Sequence, residues 1–81
     1  MVRVSGAQTT STALVALGAV IRLKRKSLGL SQEALADASN LDRSHMGKIE
    51  RGERNVTVLN VVRIASALKI PVSQLFVDAN L

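Results

Sequence analysis

The stretch SQEALADASNLDRSHMGKIERG, residues 31–52, decides the fold. It reads as two short helices joined by a tight turn. Ser31 stands where a hydroxyl accepts a free backbone N–H of a first helical turn. Glu33 follows near the positive end of the same helix. Leu35 and Ala36 face inward, and Ala38 is small enough for another helix to come close. Ser39, Asn40 and Leu41 make the turn, where asparagine tolerates a left-handed backbone. Asp42 is a second N-cap, and the helix it opens runs to Arg51 and stops at Gly52. Within that helix Met46 and Ile49 share one face. Arg43, Ser44, Gly47 and Lys48 lie on the others. An apolar stripe thus anchors a short helix whose polar and basic groups point outward, as entry into the major groove of a duplex requires.

Composition narrows the partner. The chain has 81 residues, the size of one small domain with one core. It has no cysteine, which removes disulfides and thiolate metal sites and leaves helix packing to supply stability. Phe76 is the single aromatic residue, too few for the stacking platforms that hold single-stranded nucleic acid. Lysine and arginine total 11 against 6 acidic residues, a net charge of +5 that favours a polyanionic partner. The apolar run ALVALGAVI, residues 13–21, is too short to span a bilayer. Basic residues follow it rather than a small-residue cleavage site, so the chain is read as soluble and cytoplasmic, with no membrane partner.

Outward from the central stretch, residues 1–11 read as a flexible N-terminal arm in which Arg3 can meet a phosphate. A first helix is expected over residues 12–28, capped by Ser11 or Thr12. Leu14, Leu17, Ile21 and Leu28 recur in it at helical spacing, and Gly29 ends it. Gly18 weakens its middle by about 1 kcal/mol relative to alanine. Arg22, Lys24, Arg25 and Lys26 form a basic cluster in its last turns, where cations suit the helix dipole; a merely solvated face is an equal alternative for Lys24 and Lys26. Beyond Gly52 comes a polar connector in which Arg54 and Asn55 can touch a DNA backbone. Thr57 caps a fourth helix, residues 58–69, with Val61, Ile64, Ala65 and Leu68 as its buried stripe. Pro71 ends that pattern, Ser73 caps a last helix running to Asp78, and residues 79–81 are expected to fray. The sum is one all-α domain over residues 12–78, with no strand signal and no internal repeat.

The stretch LGLSQEALADASNLDRSHMGKIERGERN, residues 28–55, resembles the lambda-repressor/Cro type of helix-turn-helix DNA-binding domain. The later segments around Ile64–Leu68 and Pro71–Phe76 also fit, so the likeness extends over residues 19–76. The resemblance implies a compact five-helix lambda-repressor-like fold. Within the family, residues 39–55 look most like the controller proteins of restriction–modification systems, small dimers that regulate restriction and modification genes. The likeness gives Gln32 a phosphate-holding role at a helix N-terminus, where free donors and positive potential suit an anion. It puts Arg43, Ser44 and Lys48 at base-facing positions; an arginine can grip guanine O6 and N7 in two bonds. Arg51, Arg54 and Asn55 join this DNA-contact set. It also pairs Arg25 with Glu50 in a partly buried salt bridge of structural role, since a sheltered carboxylate needs a partner.

His45 is the only histidine and has no cysteine or second histidine to complete a metal site, so it is assigned to the rim of the DNA contact. No nucleophile–base pair, phosphate loop or cofactor motif stands out, so neither enzyme chemistry nor a cofactor is expected. One recognition helix reads too few base pairs to find a site in a genome. Proteins of this type use a two-fold dimer on a palindrome with half-sites about 34 Å apart. Val56, Val58, Val72, Phe76 and Val77 supply apolar surface for such a homodimer, while Leu75 closes the core. The expected function is a sequence-specific, double-stranded-DNA-binding transcriptional regulator with no small-molecule ligand. The alternatives are an antitoxin-like, phage or plasmid repressor, or a helical protein-interaction module that does not read DNA. Gel-shift on the chain's own upstream DNA separates the last from the rest.

Overall fold

Local chemistry opens and closes each helix. The computed structural model describes residues 12–81, so the expected arm over residues 1–11 lies outside the described residues. The elements are α1 (Thr12–Ser27), α2 (Gln32–Ala38), α3 (Arg43–Glu50), α4 (Val58–Ala67) and α5 (Val72–Asp78). There is no strand among the described residues. The hydroxyls of Ser31 and Thr57 cap α2 and α4, accepting from Ala34 N at 3.0 Å and Asn60 N at 3.1 Å. Asp42 occupies the N-cap position of α3, yet its carboxylate takes the Ser44 hydroxyl instead of a backbone N–H.

Every helix ends in the same closure. Gly29, Asn40, Gly52, Lys69 and Asn80 take the left-handed backbone, with φ between 58° and 73°. The N–H of each following residue then reaches back to a carbonyl of the last turn. These bonds run from Leu30 to Arg25, Leu41 to Ala36, Glu53 to Lys48, Ile70 to Ala65 and Leu81 to Phe76, at 2.8–3.1 Å.

The closures correct several expectations. α1 stops before Leu28, which is 48% exposed and outside the stripe. Lys69 lies beyond α4 rather than inside it. Pro71, not Ser73, is the N-cap of α5, because its fixed φ of −70° already suits an extended cap residue. The tail expected to fray is built into the last closure: Ala79 is buried, and Asn80 and Leu81 donate back to α5.

Leu17, Ile21, Leu35, Met46, Ile49, Val61, Ile64 and Leu75 meet in one aliphatic core drawn from all five helices. Each fully buried member contributes about 1.5–3 kcal/mol. Ser39 is buried within the helix-helix turn and its hydroxyl finds no partner among the described residues. No single helix among the described residues is long and apolar enough to cross a membrane. Lys24 pairs with Asp78 at 2.7 Å in a partly exposed ion pair that ties α1 to α5. That ammonium, with the Gln74 amide behind it, holds the Asp78 carboxyl below the usual carboxylate range. Its small contribution is therefore present above the ordinary aspartate pKa and fades as pH falls through the depressed one.

α1 and the end of α3 come close enough that side chains are excluded at two positions. A Cβ on Gly18 would overlap the Ile49 carbonyl oxygen and lie 2.6 Å from that of Glu50. A Cβ on Gly52 would lie 2.7 Å from the Cα of Val15. Two glycines, one on each partner, let backbone pack on backbone. Ala38, expected to admit a neighbour, is exposed; Ala36 is the small residue of α2 that is buried. Gly18→Ala gains about 1 kcal/mol of helix propensity but has to push two peptide carbonyls aside. The expected net loss is about 2 kcal/mol of unfolding free energy, measured by urea denaturation. A variant as stable as the parent would contradict the packing.

Candidate nucleic-acid interface

Glu50, the last residue of α3, is 6% exposed, a rare place for a carboxylate. Its charge is met from α1. Arg25 donates from Nε to Oε2 at 2.7 Å and from Nη2 to Oε1 at 3.0 Å, and both side chains are nearly closed to solvent. The remaining guanidinium nitrogen, Nη1, donates to the Leu30 carbonyl oxygen at 2.8 Å. α2 joins through Gln32, whose Nε2 donates to Glu50 Oε1 at 3.0 Å. The structure therefore brings Arg25, Glu50 and Gln32 together around one carboxylate. A low-dielectric pair of this kind fixes geometry more than it adds stability. It sets where α3 sits against α1 and α2.

With Met46 and Ile49 turned inward, the other side of α3 is open. Gln32, Arg43, Ser44, Gly47, Lys48 and Arg51 line one shallow depression of about 280 Å³ between the start of α2 and the outer side of α3. Arg43, Ser44, Lys48 and Arg51 are exposed, and Gln32 is half-buried. The bond from Gln32 to Glu50 uses one amide N–H. The Ala34 N–H is taken by Ser31, but the backbone N–H groups of Gln32 and Glu33 have no intrahelical acceptors, so an anion can meet them. Ser44 gives its proton to Asp42, leaving the hydroxyl oxygen as an acceptor toward the outside. Three cationic side chains and a helix N-terminus thus share one concavity, with electrostatics suited to phosphate oxygens and base edges.

The other proposed contacts fall elsewhere. His45 is half-buried on α3 and outside the depression, as are the exposed Arg54 and Asn55 in the connector. Arg51 is engaged by Glu53, whose carboxylate accepts from Nε at 3.0 Å and Nη2 at 3.3 Å. The sequence places Gly47 on the outer faces of α3 without giving it a role, and Glu53 reads there only as part of the polar connector. A second, apolar groove of about 250 Å³ lies on another part of the surface. Val56, Val58, Val72 and Phe76 line it together with Leu14, Leu17 and Leu81. Val77 is 67% exposed and does not line it.

A helix-turn-helix family model matches residues 21–75 of the chain. Control protein C.MunI of a Mycoplasma species is 40% identical over 57 residues, covering 70% of this chain and 77% of that protein. Control protein C.SmaI of Serratia marcescens is 44% identical over 55 residues, 68% of this chain and 66% of that protein. The crystal structure of the restriction–modification controller protein C.AhdI from Aeromonas hydrophila superposes with a TM-score of 0.80 at 47% identity. It covers 82% of this chain and 100% of that one.

Removing one partner of the buried pair strands the other's charge. Glu50→Ala should cost about 3–5 kcal/mol of stability, while Arg25→Met combined with Glu50→Leu should cost clearly less than that single change. Thermal melts of the single and double variants read this directly. Equal losses would refute the coupling.

Proposed function

The chain belongs to the helix-turn-helix family, and from that premise we propose that it is a sequence-specific, double-stranded-DNA-binding transcriptional regulator. In this reading it acts in the cytoplasm as a homodimer on a palindromic operator and controls restriction and modification genes, as the names of its relatives suggest. The observation that carries the reading is the depression where Gln32 meets Arg43, Ser44, Lys48 and Arg51. α3 enters the major groove with its N-terminal end foremost. There Arg43 takes a guanine edge through two bonds and Ser44 offers its oxygen to a base amino group. Lys48 meets a base or a phosphate, and Gln32 with the start of α2 holds a phosphate of the adjoining strand. Arg51, Arg54, Asn55 and His45 flank this contact along the backbone.

The homodimer reading is supported by the apolar groove. Val58 is 81% exposed and lines it, an arrangement that a second copy would relieve. Val56, Val58, Val72, Phe76 and Val77 are the proposed contact residues, and two-fold symmetry would place two α3 helices about one helical turn of DNA apart.

Two measurements test these roles. Arg43→Ala should weaken binding to a site selected from a random duplex pool far more than binding to random DNA, narrowing their ratio by about 1–3 kcal/mol. Gln32→Ala should weaken both alike, and an unchanged ratio in Arg43→Ala would remove its base-reading role. Sedimentation equilibrium should find a dimer in the parent chain and a shift toward monomer in Val58→Glu, without loss of helix content. A parent that stays monomeric on and off DNA would overturn the dimer.

A further inference from the structure

Four of the five helix closures place an aliphatic residue directly after the left-handed one: Leu30, Leu41, Ile70 and Leu81. That position ordinarily packs back against the helix it closes. α3 alone carries an acid there, Glu53. Its backbone is fixed like the others, with its N–H on the Lys48 carbonyl oxygen at 2.9 Å. Its side chain is turned to Arg51, whose hydrogen bond holds the carboxyl below the ordinary glutamate range.

The direction of that grip matters. Glu53 takes the side of the guanidinium that carries Nε and Nη2. The third nitrogen, Nη1, lies 3.2 Å from where a Cβ on Gly47 would stand. Gly47 has no Cβ, so the guanidinium lies over the bare helix backbone on the floor of the depression. A guanidinium has five N–H donors in a rigid plane, and two of them serve Glu53. The edge bearing Nη1 is left for a second planar acceptor.

We propose that Glu53 is a positioning residue that holds Arg51 across Gly47, so that the free edge of the guanidinium receives a DNA phosphate in two parallel bonds. The inference rests on the DNA-binding reading above and names a residue that reading does not use. Phosphate is the ligand rather than a base because Arg51 closes the C-terminal end of α3, whereas the N-terminal end faces base edges. Arginine matches phosphate oxygens in this two-bond geometry. An arginine already held by Glu53 loses less side-chain freedom when DNA arrives.

The test turns on a sign. A carboxylate near the DNA backbone repels it, so Glu53→Gln by charge alone should tighten binding. Positioning demands the opposite. Affinity for a random-sequence duplex is measured at several salt concentrations for the parent, Glu53→Gln, Arg51→Ala and the double variant. Glu53→Gln is expected to weaken binding about fivefold and lower the salt slope by about one. In the Arg51→Ala background the same change is expected to tighten binding or leave it unaltered. In the free protein, the Arg51 Nε–H resonance should show slowed guanidinium rotation that Glu53→Gln abolishes. Tighter or unchanged binding on Glu53→Gln with Arg51 present would overturn the proposal. If the parent chain did not bind the duplex even at low salt, the DNA-binding reading itself would fall, whatever Glu53 does.

Discussion

Backbone lies on backbone where α1 crosses the end of α3, and the rest of the molecule is arranged by that contact. Gly18 makes room for the Ile49 and Glu50 carbonyls, and Gly52 makes room for Val15. Such closeness leaves no freedom to slide. It also delivers Arg25, two turns further along α1, to the Glu50 carboxylate. An isolated helix of the length of α3 has no stability in water, so its position comes entirely from what it packs against. The glycine contact sets the distance, the buried pair sets the rotation, and Gln32 carries the same constraint into α2.

Once the rotation of α3 is fixed, its two sides take different tasks. Met46 and Ile49 fill the core, while Arg43, Ser44, Lys48 and Arg51 are left outside. Charge is sorted in the same way. Glu50 is withdrawn from the outer side and neutralised inside by Arg25, so it does not oppose a polyanion. Asp42 sits at the positive end of α3 and holds Ser44, and Glu53 holds Arg51. The outer side of α3 is thus cationic with two of its polar groups already oriented. Oriented polar groups, rather than net charge alone, are what positioning on phosphates and reading of bases require.

Much of this was legible in the residues because it depends on neighbours in sequence. The caps at Ser31 and Thr57, the stripe through Val61, Ile64, Ala65 and Leu68, and the stop at Gly52 are all local matters. What escaped depends on neighbours in space. Gly18 reads along the chain as a weak point in a helix, and only the Ile49 carbonyl beside it explains its presence. Ser73 has the chemistry of a cap, yet Pro71 reached the extended backbone first. Residues 79–81 have the composition of a loose end, but Asn80 takes the same left-handed turn as the other closures. Glu53 looked like part of a polar connector, and its grip on Arg51 appears only when the turn at Gly52 is built. The salt bridge of Arg25 with Glu50 came from family resemblance; no spacing of 25 residues marks such a pair.

In the proposed function α3, held by α1, turns its cationic side into a duplex. The most direct measurement is amide chemical-shift mapping of the ¹⁵N-labelled chain titrated with a duplex selected from a random pool. The largest changes are expected at Gln32 and Glu33, along Arg43, Ser44, Gly47 and Lys48, and at residues 51–55, with Ile21 and Ile64 little affected. Changes concentrated around Val58, Val72 and Phe76, with α3 silent, would contradict this role of α3.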